Sequence, residues 1–509
     1  MAARPFVGRE QVKIRVVERF ASHTGGREDL VVLRRDGWDD FGFKTLFHAE
    51  FTPARGETID LGLVKILKAG QTGGRTQFDK PVFRSLDESY CSLGQDIEYY
   101  EKLAQLPPRV RDAFLVAMRD AAVDSTIARE FEHEEGWTTS LTRFGQAEHT
   151  LAMASALFEP ATNAGGVATL SHQSRELGLN LEFRFDDTRA LPGRCKVLIG
   201  YNGVGKTRLL AEMARDVSRV GLAAADPKSG ASRSFSSVVA VSYSAFDHFE
   251  LPPILNASED DLKLEEASST TRFGYTYCGL RQVQADPQTT RLKSIRELDD
   301  ELVTAFAKAC TRDSALLTQV METIESDPSF GRSGISLSTW VASAGIPAEY
   351  PSRLSSGQKI VMNILVQLAA HLRKRSLVLL DEPETHLHPP LLAALLRGVH
   401  QLLDAFDSFA VVATHSPVVL QEVAAKDVLV VERFGDIVQA SPTKLETFAA
   451  GLGELTTEAF GLDNSISGHR GVIRDLISRM EVEEFERLFV DGASSQARAL
   501  ALRMSRESD

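Results

Sequence analysis

Apolar and polar positions alternate along residues 28–68 in the manner of half-buried β-strands. The segments DLVVLRR, FGFKTLFHAEF and TIDLGLVKIL are rich in β-branched and aromatic residues, and Asp-Gly, Pro and Gly separate them. From Asp96 to about Glu132 the apolar spacing becomes helical, with a break at Pro107-Pro108. The first part of the chain is therefore predicted to form strands followed by helices.

Farther along, short apolar runs alternate with helical segments, as in an α/β protein. LNLEFRFDD alternates like a half-buried strand, whereas CKVLIG, SVVAVSYSAF, LVLLD, SFAVVATHS and DVLVVERFGDIVQA are typical of buried strands. Helices are predicted over 293–345, in PLLAALLRGVHQLLDAF and from about residue 455 to the end. Loops are predicted at 159–174 and 218–237, and the acidic stretch 254–271 is predicted to be an exposed loop.

Composition and charge set limits on the class of protein. The chain has 509 residues, 43% of them hydrophobic and 25% charged, as in ordinary globular proteins. No apolar run reaches the roughly 18 to 20 residues that span a bilayer, and the N-terminal stretch lacks the apolar centre of a secretory signal. Four widely spaced cysteines fit a reducing compartment, and a net charge of −13 gives no global support for polyanion binding. We therefore expect a cytoplasmic protein without membrane partners.

A glycine-rich motif follows the strand CKVLIG. Residues 200–207, GYNGVGKT, fit the pattern GxxxxGK[ST], and the helical segment TRLLAEMARDV comes directly after them. Glycines let the backbone amides point at phosphate oxygens, while the helix N-terminus and Lys206 add positive potential. The Thr207 hydroxyl can bind Mg²⁺. This pattern predicts a nucleotide-phosphate site.

The stretch LVLLDEPETHLHPP supplies the carboxylates that such a site needs. A buried apolar strand would end at Asp381 and Glu382, so that Asp381 could hold Mg²⁺ and Glu382 could polarise the attacking water. His386 and His388 raise the alternative of a zinc site. That alternative is disfavoured because the pair falls in an expected turn and no third ligand stands at a fixed spacing.

A second turn able to bind phosphate lies between these motifs. Residues 354–358, LSSGQ, open the helical segment KIVMNILVQLAAHLRK. Small residues at a helix N-terminus bind phosphate, and one nucleotide does not need two such devices from one subunit. We therefore infer that turn 354–358 of one copy covers ATP held on loop 200–207 of another. His415, at the end of SFAVVATHS, is a candidate hydrogen-bond donor to the γ-phosphate.

The ordered set GYNGVGKT, LSSGQ, LVLLDEPE and THSP resembles the head of ABC-type ATPases. DEPETHLHP in particular is similar to the RecF/SMC-related branch found in OLD-family proteins and in the ATPase subunits of the anti-phage systems Septu and PARIS. The resemblance covers roughly residues 180–250 and 350–435. It implies an α/β fold of the P-loop NTPase class, of ABC/SMC-head type, with an antiparallel β lobe and a helical insertion.

The resemblance also implies roles for particular residues. Glu382 would be the general base and His415 the switch histidine, while Thr207 and Asp381 would hold Mg²⁺. The residues expected to contact ATP are Asn202, Gly203, Gly205, Lys206, Thr207, Arg208, Ser355, Ser356, Gly357 and Gln358. Those of turn 354–358 would face the ATP of a partner copy.

Some positions depart from the family pattern. Thr385 to His388 stand where transporter ATPases carry a different loop, which disfavours a transporter subunit. The glutamine that usually completes the Mg²⁺ shell is not evident after SVVAVSYS, and Ser244 or Asp247 is a candidate replacement. OLD nucleases append a nuclease domain with clustered acidic residues, and the segment after His415 contains no DxD motif. The chain is thus expected to be an ATPase without a nuclease of its own.

These observations suggest a division of the chain and a leading function. The predicted segments are an N-terminal β-strand and helical region at 1–178, the P-loop half at 179–253, a mainly helical insertion at 254–350, the signature and carboxylate half at 351–440, and a helical tail at 441–509. The leading hypothesis is an ATPase that forms at least a head-to-head dimer around ATP and gates a nuclease or other effector in anti-phage defence.

Two other functions stay open. One is a RecF-like ATPase that binds DNA, although the basic run Arg373-Lys374-Arg375 before a strand is more typical of a solvated turn. The other is a protein in which ATP is a structural ligand that locks an oligomer.

Overall fold

The computed structural model describes most of the chain and divides it into two compact units. The described residues are 12–19, 28–54, 57–143, 147, 150, 151, 153–158, 167–186, 191–223, 235–245, 247, 249, 250, 271, 272, 274–282, 291–347, 350–460 and 468–508. Unit 1 comprises Met1–Lys196 and Thr207–Ala413, and unit 2 comprises Val197–Lys206 and Thr414–Asp509. The acidic residues 254–270 lie outside the described residues, and the five-segment division given above stays a prediction.

The strands of the described residues are β1 (Lys13–Val17), β2 (Leu30–Arg35), β3 (Phe43–Lys44), β4 (Leu46–Thr52), β5 (Ile59–Lys68), β6 (Gly74–Arg75), β7 (Val82–Phe83), β8 (Tyr90–Gly94), β9 (Val167–Ser174), β10 (Leu179–Asp186), β11 (Cys195–Ile199), β12 (Ser237–Ser242), β13 (Thr271–Arg272), β14 (Tyr275–Gly279), β15 (Arg281–Gln282), β16 (Arg291–Leu292), β17 (Ser376–Asp381), β18 (Phe409–Thr414), β19 (Val428–Phe434) and β20 (Ile437–Pro442).

The α-helices of the described residues are α1 (Ile97–Gln105), α2 (Pro108–Ala117), α3 (Ser125–Phe131), α4 (Lys206–Ala223), α5 (Ile295–Glu325), α6 (Pro328–Ser333), α7 (Leu337–Ala342), α8 (Tyr350–Arg353), α9 (Ser356–His371), α10 (Pro389–Ala405), α11 (Pro417–Leu420), α12 (Leu452–Phe460), α13 (Gly468–Ile477), α14 (Val482–Glu486) and α15 (Ser495–Ser508).

The N-terminal lobe of unit 1 is a sheet in the order β7-β1-β2-β4-β5-β8. Strands β2, β4, β5 and β8 pair antiparallel, while β1 and β2 pair parallel. Apolar side chains such as Ile14, Leu33, Ile66 and Leu93 are fully buried in a core that also takes in residues of α1, α2 and α3. The edge strand β7 pairs antiparallel with β1. The expected antiparallel β lobe is confirmed, with one parallel pair inside the sheet.

The second large sheet of unit 1 runs in the order β13-β14-β12-β17-β18. Its pairs are parallel except for β13 with β14, and β12, β14, β17 and β18 are buried along their whole length. Continuous burial explains the unbroken apolar runs, because a parallel sheet is covered on both faces. The register pairs Ser242 at the end of β12 with Asp381 at the end of β17. Both polar side chains thus lie at the carboxyl edge of this sheet.

Three long helices of unit 1, α5, α9 and α10, pack against one another. A side chain on Gly398 of α10 would come within 2.8 Å of Leu365 on α9, so this glycine permits the close approach of the two helices. Helix α5 breaks at Asp313, where φ is −158° and ψ is 89°. The Asp313 carboxylate accepts a hydrogen bond from the Leu316 amide at 2.9 Å and so caps the second half of the helix.

Unit 2 has its own strands and helices. Residues Val197–Ile199 of β11 pair parallel with β19, and β20 pairs antiparallel with β19. Near the C-terminus, α13, α14 and α15 bury a small cluster that includes Val482 and Phe485. Leu488 and Val490, which follow directly, are exposed.

Three segments differ from the sequence-based expectation. The predicted loop 218–237 begins inside helix α4, which continues to Ala223. The predicted loop 159–174 contains strand β9, which pairs antiparallel with β10 and alternates between exposed and buried positions. Its inward positions include His172 and Ser174, and these polar residues hid the period-2 signal. Within the predicted helical insertion 254–350, Ile295 to Ala342 is largely helical, but Tyr275–Gly279 is a buried strand paired with β12.

Among the described residues, no helix combines the length and the apolar character needed to cross a bilayer.

The N-terminal lobe contains a buried carboxyl whose titration should affect stability. Burial raises the pKa of Asp120 to about 7, although hydrogen bonds from Tyr100, Ala122 and Val123 oppose this increase. The folded state therefore holds this proton up to a higher pH than the unfolded chain, whose carboxyl has an ordinary pKa near 3.8. The stabilisation is complete below about pH 4 and is lost as the pH rises towards 7.

We expect Asp120→Asn to remove this dependence, because the amide oxygen can accept hydrogen bonds from the same donors without titrating. The free energy of unfolding of the wild type, minus that of the variant, should fall between pH 4 and 7 by at most about 1.4 kcal/mol per pH unit. Denaturant unfolding of both proteins across that range measures the difference. A flat difference would show that Asp120 titrates alike in the folded and unfolded chains.

Candidate active site

In unit 2, the glycine-rich loop joins β11 to the start of helix α4. Gly203 and Gly205 have φ values of +83° and +105°, which favour glycine because side chains rarely tolerate such a backbone. Glycine is required at position 200 for a different reason, which is lack of space. A Cβ there would lie 2.1 Å from the carbonyl oxygen of Val431, on the neighbouring strand β19. Glycine is thus needed at these positions either for backbone conformation or for space.

Lys206 lies inside this loop. Its side chain is buried, and Nζ donates hydrogen bonds to the carbonyl oxygens of Gly200 at 2.9 Å and Tyr201 at 3.2 Å. The ammonium group is therefore positioned by the loop that it would serve, and phosphate oxygens are acceptors of greater negative charge than these carbonyls. Asn202, in the same loop, is exposed.

In unit 1, the first hydroxyl of helix α4 meets the carboxylate that ends β17. Thr207 Oγ1 donates to Asp381 Oδ1 at 2.9 Å, and Ser242 Oγ donates to Asp381 Oδ2 at 3.4 Å. Asp381 is buried, so its charge is shielded from bulk water. Two hydroxyls around one carboxylate form a set of hard oxygen donors, which suits Mg²⁺ better than a softer metal. The residues present therefore fit the ion that the resemblance implies.

Ser242 was not among the residues singled out from the sequence. It is the last residue of β12 and is paired with Asp381, a register that only the assembled sheet reveals. Ser244 and Asp247 were the two candidates to replace the glutamine that usually completes the Mg²⁺ shell. Asp247 forms hydrogen bonds with other side chains. Its carboxylate accepts from the Tyr277 hydroxyl at 2.6 Å and from Arg281 at 3.0 Å. The amide of Ser244 donates to Ser242 Oγ at 3.4 Å.

Glu382 follows with an unusual backbone. Its φ is +48°, in the left-handed region, and its amide donates to the carbonyl oxygen of Ala413 at 2.8 Å. Holding a non-glycine residue there costs roughly 1 kcal/mol or more, a cost that persists where the surrounding structure fixes the backbone. The side chain of Glu382 is half-buried.

Turn 354–358 forms the N-terminal cap of helix α9. Ser355 Oγ accepts from the amide of Gln358 at 3.3 Å, and the Gln358 side chain accepts from the Ser355 amide at 2.8 Å, which is a capping box. Ser355 and Ser356 are exposed, whereas Gln358 is buried. Gly357 lies beneath the segment after β17, and a Cβ on it would come within 3.0 Å of the carbonyl oxygen of His386.

The histidines of LVLLDEPETHLHPP have distinct positions. His388 caps helix α10, with Nδ1 accepting from the amide of Leu391 at 3.3 Å, while His386 is exposed with a φ of +66°. His388 therefore has a structural role that explains its presence without zinc. His415 is an exposed residue of unit 2, directly after β18.

Arg208, predicted to contact nucleotide, forms ion pairs with carboxylates. Its guanidinium pairs with Glu176, in the turn between β9 and β10, and lies 3.7 Å from Glu212, one turn along α4. These contacts direct the side chain towards the hairpin.

Comparisons with known proteins agree with an ATPase. A family model described as "AAA domain, putative AbiEii toxin, Type IV TA system" matches residues 215–421. The chain is 30% identical over 506 residues to protein ea59 of Escherichia phage lambda, and the match covers 90% of this chain and 91% of that protein.

Solved structures give weaker likenesses. An inward-facing ABC transporter is 16% identical, with 55% of this chain and 82% of that one covered at a TM-score of 0.24. UvrA2 from Deinococcus radiodurans is 19% identical, with 54% and 36% covered at a TM-score of 0.25. TM-scores this low carry no argument about the function of this chain.

Proposed function

The chain belongs to the family of the phage lambda protein ea59 and contains an ABC-like AAA ATPase domain, and from this premise we propose that it binds Mg²⁺-ATP and hydrolyses it. The observation that carries the proposal is the hydrogen bond of 2.9 Å between Thr207 and Asp381. A hydroxyl at the start of the P-loop helix and a strand-end carboxylate are the two protein ligands that P-loop NTPases give to Mg²⁺.

The loop at 200–207 would bind the phosphates. Gly203 and Gly205 allow the backbone to turn so that its amides face outwards, and helix α4 adds the positive end of its dipole. Lys206 would exchange its bonds to loop carbonyls for bonds to phosphate oxygens. Bound Mg²⁺ would neutralise negative charge on those oxygens.

Glu382 would act on the attacking water. Its backbone is fixed by the hydrogen bond to Ala413 and by a second one, in which the Thr385 amide donates to the Glu382 carbonyl at 3.1 Å. A carboxylate on so constrained a turn can accept the proton of a water at one position relative to Asp381, which is the requirement for a general base. Hydrolysis would then leave ADP and inorganic phosphate.

We further propose that two copies are needed for a complete site. The exposed Ser355 and Ser356 stand at the N-terminus of helix α9, where backbone amides and the helix dipole favour an anion. By resemblance, this turn would face the γ-phosphate of ATP bound to a partner copy, and His415 would contact the same phosphate.

We also propose a role for the ATPase in the cell, which is to control an effector. A dimer that closes on ATP and reopens after hydrolysis is suited to control an effector, and the resemblance to Septu and PARIS subunits suggests a nuclease in anti-phage defence. The family model's description names a putative AbiEii toxin of a type IV TA system.

Replacing Thr207 tests the central claim. We expect Thr207→Ala to lower Mg²⁺-dependent ATP turnover by about 10²-fold, because a metal ligand is lost. Thr207→Ser keeps the hydroxyl and serves as the control, with turnover within a few-fold of the wild type. Release of inorganic phosphate from the purified protein, measured against Mg²⁺ concentration, distinguishes the variants.

Equal turnover by Thr207→Ala and the wild type would reject the assigned metal site. Tight ATP binding by a wild type that shows no turnover would instead favour ATP as a structural ligand that locks an oligomer.

A further inference from the structure

A second cavity lies within unit 1, away from the residues described above. It has a volume of about 720 Å³ and is lined by α1, by α5 near its break and by the C-terminal end of α9. We call it the basic cleft and define it by Lys102, Lys308, Arg312, His371, Arg373 and Lys374. Phe406, after helix α10, completes one wall.

The basic cleft is at the opposite edge of the sheet from Asp381. Its lining includes Ser237, the first residue of β12, and Arg373 and Lys374 precede β17. Asp381 and Ser242 are the last residues of β17 and β12. Strands rise about 3.3 Å per residue, so the two edges are on the order of 17 Å apart. The cleft is therefore distinct from the proposed ATPase site.

Cations outnumber anions in the cleft. Glu98 pairs with Lys308 and Glu101 pairs with Arg373, each at 3.4 Å. Across the part of the chain that the structure describes, no carboxylate lies within 4.0 Å of the charged nitrogens of the remaining cations, which are Lys102, Arg312 and Lys374. The cleft thus keeps positive charge that its own glutamates do not neutralise.

The excess of positive charge in the cleft affects Arg312 most directly. Its guanidinium lies over the ring of Phe406, 4.6 Å from the centroid, and the side chain is half-buried. Burial lowers the pKa of Arg312, and the neighbouring Arg373 lowers it too. Three nearby carboxylates raise this pKa, those of Glu101, Glu98 and Asp313. Two half-buried guanidinium groups side by side repel each other, and an anion bound between them would relieve that repulsion.

The pKa of His371, the last residue of α9, is lowered by burial and by the same positive charges. Burial, followed by the positive charges of Lys308, Arg373 and Arg312, lowers its pKa to about 3, so the imidazole is neutral. The C-terminal end of α9 attracts cations, but a helix end carries only about half a negative charge. That half charge does not balance the three cations left without a carboxylate.

We propose that the basic cleft binds a small molecule bearing several phosphates, of the nucleotide or polyphosphate class. Arginine guanidinium groups suit phosphate because their planar donors bind two oxygens at once. A volume of about 720 Å³ is that of a small-molecule pocket. An occupant would touch the end of α9, the helix that begins at Ser356, so it would be in contact with the element that carries turn 354–358.

Calorimetric titration with sodium tripolyphosphate tests the proposal. All measurements use Lys206→Ala, which weakens the P-loop, so the outcome does not depend on the proposed ATPase. Arg312→Gln and Lys374→Gln, each added to that background, should weaken tripolyphosphate binding about tenfold, because each removes a charged donor. Arg397→Gln, which makes the same charge change at an exposed position of α10, is the matched control and should leave the affinity unchanged.

A second readout follows His371. Its ring resonances, observed with labelled histidine, should show the pKa rising when tripolyphosphate binds, because an anion offsets the nearby cations. Lys374 is exposed, so its variant should fold normally even if Arg312→Gln does not.

Unchanged affinity in both cleft variants would overturn the proposal. So would a single-stranded oligonucleotide that binds in dependence on Arg312 and Lys374 while tripolyphosphate does not, since the cleft would then be part of a nucleic-acid surface.

Discussion

Glu382→Gln is expected to keep ATP binding intact and to reduce hydrolysis by about 10³-fold. A general base contributes typically 10² to 10⁴ in rate, and an amide cannot accept the proton of the attacking water. The substitution preserves size and leaves the backbone hydrogen bond from the Glu382 amide to Ala413 in place. The variant should therefore bind nucleotide through loop 200–207 as the wild type does.

The same change should prolong the ATP-bound dimer. If closure depends on ATP and reopening on hydrolysis, the variant should remain dimeric with ATP, whereas the wild type returns to monomers as ATP is consumed. Sedimentation after addition of Mg²⁺-ATP measures this, together with single-turnover phosphate release. Glu322→Gln is the matched control, because it makes the same change at an exposed position of helix α5 and should alter turnover by no more than a few-fold.

Either of two results would contradict these assignments. Turnover by Glu382→Gln at the wild-type rate would remove Glu382 as the base. Loss of turnover without any dimer in ATP would leave the base in place but reject the two-copy site built on Ser355 and Ser356.

The motifs predicted the residues of the candidate ATPase site where those residues are close together in sequence. A glycine-rich loop before a helix can be recognised from a few consecutive residues, and so can a carboxylate pair after a buried strand. The resemblance to ABC-type ATPases also implies that Thr207 and Asp381 share a Mg²⁺ ion, and this assignment stays a prediction. The structure places their oxygens 2.9 Å apart.

What the sequence could not predict depends on register and on distant contacts. Ser242 becomes a partner of Asp381 only once β12 and β17 are aligned, and the run SVVAVSYSAF does not mark where its strand ends. The basic cleft joins Arg312, from the break in α5, with Arg373 and with residues of α1. The sequence alone placed Arg373 in a basic run that is typical of a solvated turn.

The sequence predicted only some of the contacts of turn 354–358. Its position at a helix N-terminus was predicted, and the capping box of Ser355 and Gln358 gives that position a local cause. The close approach of Gly357 to the carbonyl oxygen of His386 was not foreseen. This glycine therefore packs against the segment after β17 within one chain, whatever the turn contacts in a partner copy.

Gly200→Ala is expected to abolish nucleotide binding and to destabilise unit 2 by about 3 kcal/mol, the upper end of the usual cost of overpacking. The added methyl group would lie 2.1 Å from the carbonyl oxygen of Val431. That atom belongs to the backbone of β19, so it cannot move aside as a flexible side chain would. Loop 200–207 must shift instead, and its amides would no longer converge on phosphate.

Two other glycines separate this steric effect from the conformational one. Gly203 has open space around it but a φ of +83°, so Gly203→Ala should cost roughly 1 to 2 kcal/mol and weaken binding less. Gly471 lies in helix α13 with open space, and alanine there should stabilise by about 0.5 to 1 kcal/mol. Titration with a fluorescent ATP analogue and denaturant unfolding measure all three. Nucleotide binding that survives in Gly200→Ala but not in Gly203→Ala would mean that backbone conformation, rather than the contact with β19, shapes the loop.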